Sequence, residues 1–523
     1  MDVAQGTHVI NRDERVSQNR VPRRAIVLLV VIAAIAAGGA YYLTSAAGSL
    51  ANSPAQPGVH VPAAKATVLT GPGAALSAKA AASFFSSDPV VVLASGAHQA
   101  ALTDAARDAV ARAAPLLLAG TSVPLVSPAV RAEIGKLHAG YVLAVGLPGR
   151  TLATELPGVR VVTSTGGLPV SAAPGPLRTA MLLVHAGKHG AVAAAGIAAA
   201  ATARAAGARV ITLSGYDPRA VPAAISALAA AKPQHVVAIG RGFGTQATLA
   251  AKISVAETGV QLPGGGQVLF PGHRLVAMYG HPGTAGLGAL GEQGLVASIA
   301  RIRELAQPYR ALSRVHVVPA FEIIATVAQG SAGRNGLYTY ETSVAALRPW
   351  VERAVKAGLY VILDLQPGRS SLLAQAKLYQ PLLRLPDVGL ALDPEWKLQP
   401  GQRPLQQIGS VSSTEINKVI HWLAALTARY RLPQKLLVLH QFRLAMIEGE
   451  SRLDTHEQDL AIVIHMDGQG SPADKVNTWD AVTAAAPAGV YFGWKDFFVK
   501  DHPMMDPTET MDRKPQPVMI SYQ

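Results

Sequence analysis

Acidic, amide and imidazole side chains stand at the ends of successive apolar segments in the second half of this 523-residue chain. A buried carboxylate is costly unless it is paired or hydrogen-bonded, so repeated acids at such positions favour binding or catalysis over stability. Paired carboxyl groups can serve as general acid and as base or nucleophile. The residues of this pattern are Glu322, Asp364, Gln366, Asp393, Glu395, His440, Gln441, His465, Asp467 and Gln469, together with His281, Trp396, Trp494 and Lys495.

Carboxylates beside tryptophans indicate carbohydrate chemistry. Cleavage of a glycosidic bond needs one protonated carboxyl for the leaving oxygen and a second, ionised carboxyl that attacks or activates water. We predict Glu395 as the general acid and Asp467 or Asp393 as the base or nucleophile. The other residues of the pattern are predicted to bind substrate or to tune these pKa values, with Trp396 and Trp494 stacking on sugar rings.

Taken one at a time, these residues also have structural interpretations. Asp393 before Pro394 and Asp467 before Gly468 are common turn pairs, and a lone buried histidine is usually a core residue. Their recurrence at seven segment ends favours a functional rim.

A metal-dependent hydrolase is the alternative chemistry. Zinc and manganese prefer nitrogen and oxygen ligands, which His281, Asp364, Asp393, His440, His465 and Asp467 could supply. The chain has no HExxH motif and no HxH on the first apolar segment, so we predict no metal and no other cofactor. The absence of cysteine excludes a disulfide framework, thiolate ligands and a thiol nucleophile.

The elements that position these side chains are predicted to form a (β/α)₈ barrel, with a flavodoxin-like open sheet as the alternative. About 250 residues follow the Gly/Pro-rich segment 261–272, and polar groups at several strand ends are typical of a barrel's catalytic rim. This half resembles glycoside-hydrolase barrels at the level of the fold, but its seventh strand ends in Trp494-Lys495 rather than in a glutamate. The predicted strands are residues 275–280, 315–324, 360–365, 388–392, 436–439, 461–466, 489–492 and 518–522.

The first half contains a duplicated pattern that predicts parallel α/β units. Apolar segments at 89–96, 115–120 and 141–146 recur at 181–187, 209–215 and 235–240, with alanine-rich stretches between them. The Ser95-Gly96 strand end, the segment APLLL at 114–118 and VLAVG at 142–146 resemble the cell wall-binding repeat 2 family. That resemblance covers roughly residues 85–250 and implies non-covalent attachment to anionic wall polymers.

Charge is distributed unevenly along the chain. Residues 89–270 hold 14 basic and six acidic side chains, and this excess accounts for most of the net charge of +13. The last half of the chain contains 23 of the 33 acidic residues and all five tryptophans. Such a basic region attracts anionic polymer through salt-dependent forces. No recognition helix or aromatic-interleaved basic patch indicates nucleic acid.

The N-terminal segment predicts export. Residues 25–43 form an uncharged apolar run long enough to cross a bilayer as a helix, and five arginines precede it. We predict a single-pass anchor with residues 1–24 in the cytoplasm; a cleaved signal peptide is the alternative. Residues 44–84 are rich in Ala, Ser, Pro and Gly and predict a flexible spacer.

The resulting hypothesis is a membrane-anchored or secreted cell-envelope protein. Its wall-binding repeats, at 85–260, would hold a barrel, at 272–523, against polysaccharide that the barrel hydrolyses or binds. A non-catalytic envelope adhesin or scaffold is the second hypothesis.

Overall fold

The computed structural model describes residues 56–169, 171–184 and 190–523. The predicted membrane segment at 25–43 and the basic segment before it lie outside these residues. Among the helices that are described, none combines the length and the apolar character that a membrane crossing needs.

The first half of the described chain alternates strands and helices. Its strands are β1 (Gly58–Val59), β2 (Ala66–Leu69), β3 (Phe85–Ser87), β4 (Val90–Ser95), β5 (Leu116–Ala119), β6 (Tyr141–Val145), β7 (Arg160–Val162), β8 (Thr179–Val184), β9 (Arg209–Leu213) and β10 (His235–Ile239). Its helices are α1 (Gly73–Phe84), α2 (Gln99–Ala111), α3 (Pro128–Lys136), α4 (Gly149–Glu155), α5 (Gly190–Ala205), α6 (Pro222–Ala231) and α7 (Gln246–Ala256).

Two four-stranded parallel sheets share one topology. Their strand orders are β5-β4-β6-β7 and β9-β8-β10-β2, so β2 takes the place in the second sheet that β7 holds in the first. The six predicted strands of the duplicated pattern are confirmed. The fourth strand of the second unit therefore comes from the start of the described chain, before the first unit.

The prediction of a flexible spacer is wrong for residues 66–84. This stretch contains β2 and the 12-residue helix α1. Alanine has the highest helix propensity, and α1 buries Leu76, Ala80 and Phe84 in the core that the two sheets share. The small residues that predicted a flexible spacer instead allow helix α1 to pack closely against its neighbours.

Alanine-rich helices join the two sheets. Helix α5 of the second unit packs against α1 and α2 of the first. Thr202 on α5 is fully buried, and its hydroxyl hydrogen-bonds to the backbone N–H of Leu116 at 3.0 Å. The two units thus share a core.

The second half carries the longer strands. They are β11 (His273–Gly280), β12 (His316–Ala328), β13 (Thr339–Glu341), β14 (Tyr360–Leu365), β15 (Val388–Leu392), β16 (Val411–Ser412), β17 (Lys435–Gln441), β18 (Ile447–Glu448), β19 (Leu460–Met466), β20 (Tyr491–Asp496) and β21 (Met519–Tyr522). The helices are α8 (Leu295–Leu312), α9 (Val344–Lys356), α10 (Leu372–Leu378), α11 (Gln380–Leu383), α12 (Ser413–Arg429), α13 (Pro472–Ala485) and α14 (Pro507–Met511).

Eight parallel strands close into a barrel, as predicted. They follow the order β11-β12-β14-β15-β17-β19-β20-β21, and β21 pairs with β11 to complete the circle. This closure excludes the open-sheet alternative. All eight predicted strands correspond to barrel strands, but the seventh runs four residues further than predicted, to Asp496.

Alternation along the strands divides the barrel into layers. Side chains at every second position point inward, and the lower interior is filled by apolar groups such as Leu275, Ala320, Ile362 and Val438. The intervening residues pack outward against the helices. Above the apolar layer the same inward positions become polar, which places charged groups at the carboxyl ends of the strands.

Candidate functional site

A polar ring lines the upper interior of the barrel. Every barrel strand contributes to it, either from an inward-facing position above the apolar layer or from the residue just after the strand, and all its members are buried. The carboxyl ends of parallel strands meet at one rim, which is where barrel enzymes collect their catalytic groups. The ring consists of Tyr279, Glu322, Asp364, Asp393, His440, His465, Asp467, Lys495 and Ser521.

His440 occupies the centre of the ring's charge network. Its Nε2 hydrogen-bonds to Glu322 Oε1 at 2.9 Å and lies 4.0 Å from Asp364 Oδ1, while Nδ1 lies 3.2 Å from Asp467 Oδ2. Burial acts to lower the pKa of His440, but the carboxylates of Glu322 and Asp467 outweigh it and hold that pKa well above its usual value. His440 is therefore an imidazolium between two carboxylates.

Tyr279 links the ring's first and third strands. Its hydroxyl donates to Asp364 Oδ2 at 2.9 Å and accepts from Gln366 Nε2 at 3.2 Å, and the Lys495 ammonium lies 3.6 Å from the centre of its aromatic ring. Burial raises the pKa of Asp364 to about 6, although the charge of His440 opposes this rise. Asp364 is thus partly protonated in mildly acidic solution.

His465 is a neutral imidazole beside the charged His440. The two imidazole rings have centroids 5.1 Å apart, and His465 Nε2 hydrogen-bonds with Ser521 Oγ at 3.0 Å. Burial, together with repulsion from His440 and Lys495, lowers the pKa of His465 well below its usual value. The ring therefore holds one charged and one neutral histidine in contact.

The carboxyl groups near the mouth differ sharply in protonation. Burial raises the pKa of Glu395 to about 7, and repulsion from the Asp467 carboxylate adds to the rise. Burial also acts to raise the pKa of Asp467, but the hydrogen bond and charge of His440 outweigh it and lower that pKa. Burial and repulsion from Glu395 and Asp364 raise the pKa of Asp393 well above its usual value. At mildly acidic pH the mouth therefore contains a protonated Glu395 and an ionised Asp467.

Glu395 is reachable from solvent. It lies on the 3₁₀ turn Pro394–Trp396 that follows β15, and it lines a cleft of about 370 Å³ together with Trp396, Ile408 and Arg443. The turn is anchored because Gly409 N–H donates to the Glu395 carbonyl at 2.7 Å. A substrate in this cleft would contact both the acid and an aromatic surface.

Lys397 fixes the chain immediately after that turn. Its Nζ donates to the Ser370 carbonyl at 2.9 Å and pairs with Glu415 Oε1 at the same distance. Glu415 accepts in addition from the N–H of Leu372. Glu395 and Trp396 are consequently held between two anchored points.

Most of the predicted site residues converge at the mouth. Gln366 contacts the ring through Tyr279, and Trp396 lines the cleft. The ring or the cleft includes Glu322, Asp364, Asp393, Glu395, His440, His465, Asp467 and Lys495.

Besides Gln366 and Trp396, four predicted substrate-binding residues lie outside the ring. Trp494 is wrong as a sugar-stacking residue, because it is fully buried against Trp479 on the outer side of β20. Gln441 hydrogen-bonds to Glu450 at 2.8 Å, and Gln469 is exposed. His281 hydrogen-bonds to Thr342 at 3.1 Å. Trp494 and Gln441 point away from the barrel interior because side chains alternate along a strand. Each directly neighbours an inward-facing residue, Lys495 and His440 respectively.

Several site residues were missed. Tyr279 and Ser521 lie two residues after Ala277 and Met519, which face the barrel interior, so a period-two count along β11 and β21 would have found them. No sequence signal indicated the ion triad formed by Lys475, Asp496 and Asp501.

The ion triad ties together two loops of the mouth. Lys475 Nζ pairs with Asp496 and Asp501 and donates to the Lys495 carbonyl at 2.8 Å. Asp501 also accepts from the N–H of Gly470 at 3.0 Å, in the loop that follows Asp467. All three side chains are buried. The triad therefore links the chain segments that carry Asp467 and Lys495.

Replacing Lys475 with methionine is expected to lower the free energy of unfolding by about 3–5 kcal/mol, because two buried carboxylates lose their cation. Urea unfolding of the wild type and the variant measures this difference. Lys377→Met, on the exposed face of α10, serves as the control and is expected to change stability by less than about 0.5 kcal/mol. Equal losses in the two variants would contradict the structural role of the triad.

The residues considered above as metal ligands divide between the ring and its surroundings. His440 lies between carboxyl groups at both nitrogens, and His281 lies outside the ring. Within the part of the chain that the structure describes, the grouping compact enough to hold a cation is His421, Asp454 and Glu457 at the surface. The six residues considered above as metal ligands do not form a comparable group there.

No known family model matches the chain, and no curated protein matches it. Its chemistry is therefore inferred from the geometry of the ring and the cleft.

Proposed function

We propose that the barrel hydrolyses glycosidic bonds in a polysaccharide, with Glu395 as the general acid and Asp467 as the base or nucleophile. The proposal is carried by the placement of two carboxyl groups at one barrel mouth: Glu395 lies on the turn after β15, and Asp467 lies 3.2 Å from His440, with their pKa values displaced in opposite directions. Glycoside cleavage requires one protonated and one ionised carboxyl beside the same bond. The eight-stranded parallel barrel is compatible with such chemistry.

Each group then has a defined part in the reaction. Glu395 gives its proton to the leaving oxygen as the glycosidic bond breaks, and Asp467 attacks the anomeric carbon or takes a proton from the attacking water. The His440 imidazolium keeps Asp467 ionised, and Glu322 holds His440 in place. Asp393 is less suited to the role of base because its raised pKa keeps it protonated.

Trp396 supports a sugar substrate in particular. It is partly exposed and lines the same cleft as Glu395, so its ring can stack on the apolar face of a sugar. Trp494, by contrast, is unavailable.

The pH dependence of kcat/KM tests the assignment of the acid. Glu395 must be protonated, so the rate should fall about tenfold per pH unit above its pKa of about 7, and it should be nearly constant between pH 5 and about 6.5. Initial rates of reducing-end release between about pH 4 and 9 measure this profile. A rate that keeps rising above about pH 8 would mean that no group of this kind acts as the acid.

We further propose that the protein is held at the cell envelope, by residues 25–43 in the membrane and by the two α/β units on an anionic wall polymer. The excess of 14 basic over six acidic residues in 89–270 supports the second contact. The full chain should sediment with isolated cell walls at low salt and be released at about 1 M salt, where screening is strong. Absent or salt-insensitive binding would contradict this attachment.

A further inference from the structure

Two clefts adjoin beside the turn that carries Glu395. Glu395 and Trp396 line the first cleft, and Arg369, Lys397 and Glu448 line the second, which has a volume of about 460 Å³. Leu398 lines both, so the two clefts adjoin. A polymer that occupies both clefts would pass Glu395 in the first of them.

Each cleft has an arginine that forms no ion pair with a described carboxylate. Arg443 lines the cleft of Glu395, and Arg369 lines the second cleft; both are exposed. The Arg369 guanidinium is held 4.7 Å above the ring of Tyr338 and uses one Nη2 hydrogen bond, to the Gln402 carbonyl at 3.1 Å. A guanidinium has five N–H donors, so most of those on Arg369 remain for a ligand.

The acids that line the clefts do not cancel these charges. Glu415 is paired with Lys397, and Glu395 is largely protonated in mildly acidic solution. Glu448 accepts a hydrogen bond from Ser410 at 2.7 Å and has no cationic partner among the described residues. The two clefts therefore contain two arginines without an ion pair, Arg369 and Arg443, and one such carboxyl group, that of Glu448. The Lys500 ammonium adds positive charge close enough to act on Glu395.

We propose that Arg369 and Arg443 bind acidic sugar residues on the two sides of the cleaved bond, so that the substrate is an anionic polysaccharide. The planar guanidinium fork matches a carboxylate or a phosphate oxygen pair better than it matches a hydroxyl. The acidic group is thus a uronate carboxylate or a sugar phosphate. The location of the bond between the arginines rests on the proposed function, whereas acidic-polymer binding at the clefts does not.

The test measures binding to the full chain carrying Glu395→Gln, so that no polymer is cut, and follows tryptophan fluorescence, which reports on the barrel because all five tryptophans lie there. The probes are a uronate polymer, the same polymer with its carboxyl groups reduced to alcohols, a phosphorylated glycan and its dephosphorylated form. We expect Kd for an acidic polymer to be at least tenfold below that for its neutral form. Arg369→Met and Arg443→Met should each raise Kd for the acidic polymer about tenfold and leave Kd for the neutral form unchanged.

Arg384→Met is the matched control, since Arg384 is exposed and stacks on Tyr430 rather than lining either cleft. It should change neither affinity. The phosphorylated glycan binding more tightly than the uronate polymer would identify phosphate as the acidic group. Equal affinity for acidic and neutral polymers, or no effect of either arginine variant, would overturn the inference. Such a result would leave the hydrolytic function standing if the wild type still cuts the neutral polymers.

Discussion

Replacing Glu395 with glutamine is expected to lower kcat for polysaccharide cleavage by about 100- to 10,000-fold, the usual contribution of a positioned general acid. Glutamine keeps the size and hydrogen-bonding capacity of the side chain but has no acidic proton to give. Because the backbone of residue 395 is fixed by its hydrogen bond to Gly409, the turn and the cleft should keep their shape. Kd for the polymer should therefore change less than threefold while turnover is lost.

The role of the acid predicts a dependence on the leaving group. An aryl glycoside with a good leaving group needs little protonation, so Glu395→Gln should retain much more of its activity on that substrate than on the polysaccharide. Glu304→Gln is the control, because Glu304 is exposed on α8 and lines neither cleft. If both substrates lose activity equally in Glu395→Gln, Glu395 does not act as a proton donor.

Replacing Asp467 with asparagine is expected to reduce turnover by about 100- to 10,000-fold on every substrate, whatever its leaving group. The amide can neither attack the anomeric carbon nor accept a proton from water. The substitution also removes the charge that repels the ionised form of Glu395, so the pKa of Glu395 should fall. Any residual activity should then begin to decline at a lower pH than in the wild type.

Steady-state rates with an aryl glycoside and with the polymer, each measured across pH, provide both readouts. Asp480→Asn, at an exposed position of α13, should behave as the wild type. Full activity of Asp467→Asn would show that catalysis does not need an ionised carboxylate at position 467, and it would contradict the two-carboxyl mechanism. If the wild-type barrel cleaves no polysaccharide, the non-catalytic adhesin hypothesis is favoured instead.

The sequence was sufficient for the barrel and for much of its rim. Apolar strand segments separated by helical stretches predicted all eight strands, and the carboxyl ends of parallel strands meet at one rim by geometry alone. Residues directly following a correctly bounded strand, such as Asp393 and Asp467, were therefore placed correctly. The duplicated sheets of the first half were visible for the same reason.

Features that depend on strand register or on residues distant in the chain could not be predicted from the sequence. The seventh strand runs past its predicted end, and alternation then turns Trp494 outward and Lys495 inward. Strand β2 joins a sheet whose other strands lie more than 100 residues away, which no local pattern signals. The protonation states of Glu395 and Asp467 depend on burial and on His440, both of which arise only in the folded barrel.

The most direct test is cleavage of an anionic polysaccharide in water enriched in the heavy oxygen isotope, with mass spectrometry of the products from the wild type and Glu395→Gln. Hydrolysis adds one oxygen atom from water for each bond cut. We predict one heavy oxygen per new reducing end with the wild type, and at least 100-fold fewer new ends with Glu395→Gln. New ends without the isotope, or equal release by both proteins, would contradict glycoside hydrolysis at this barrel mouth.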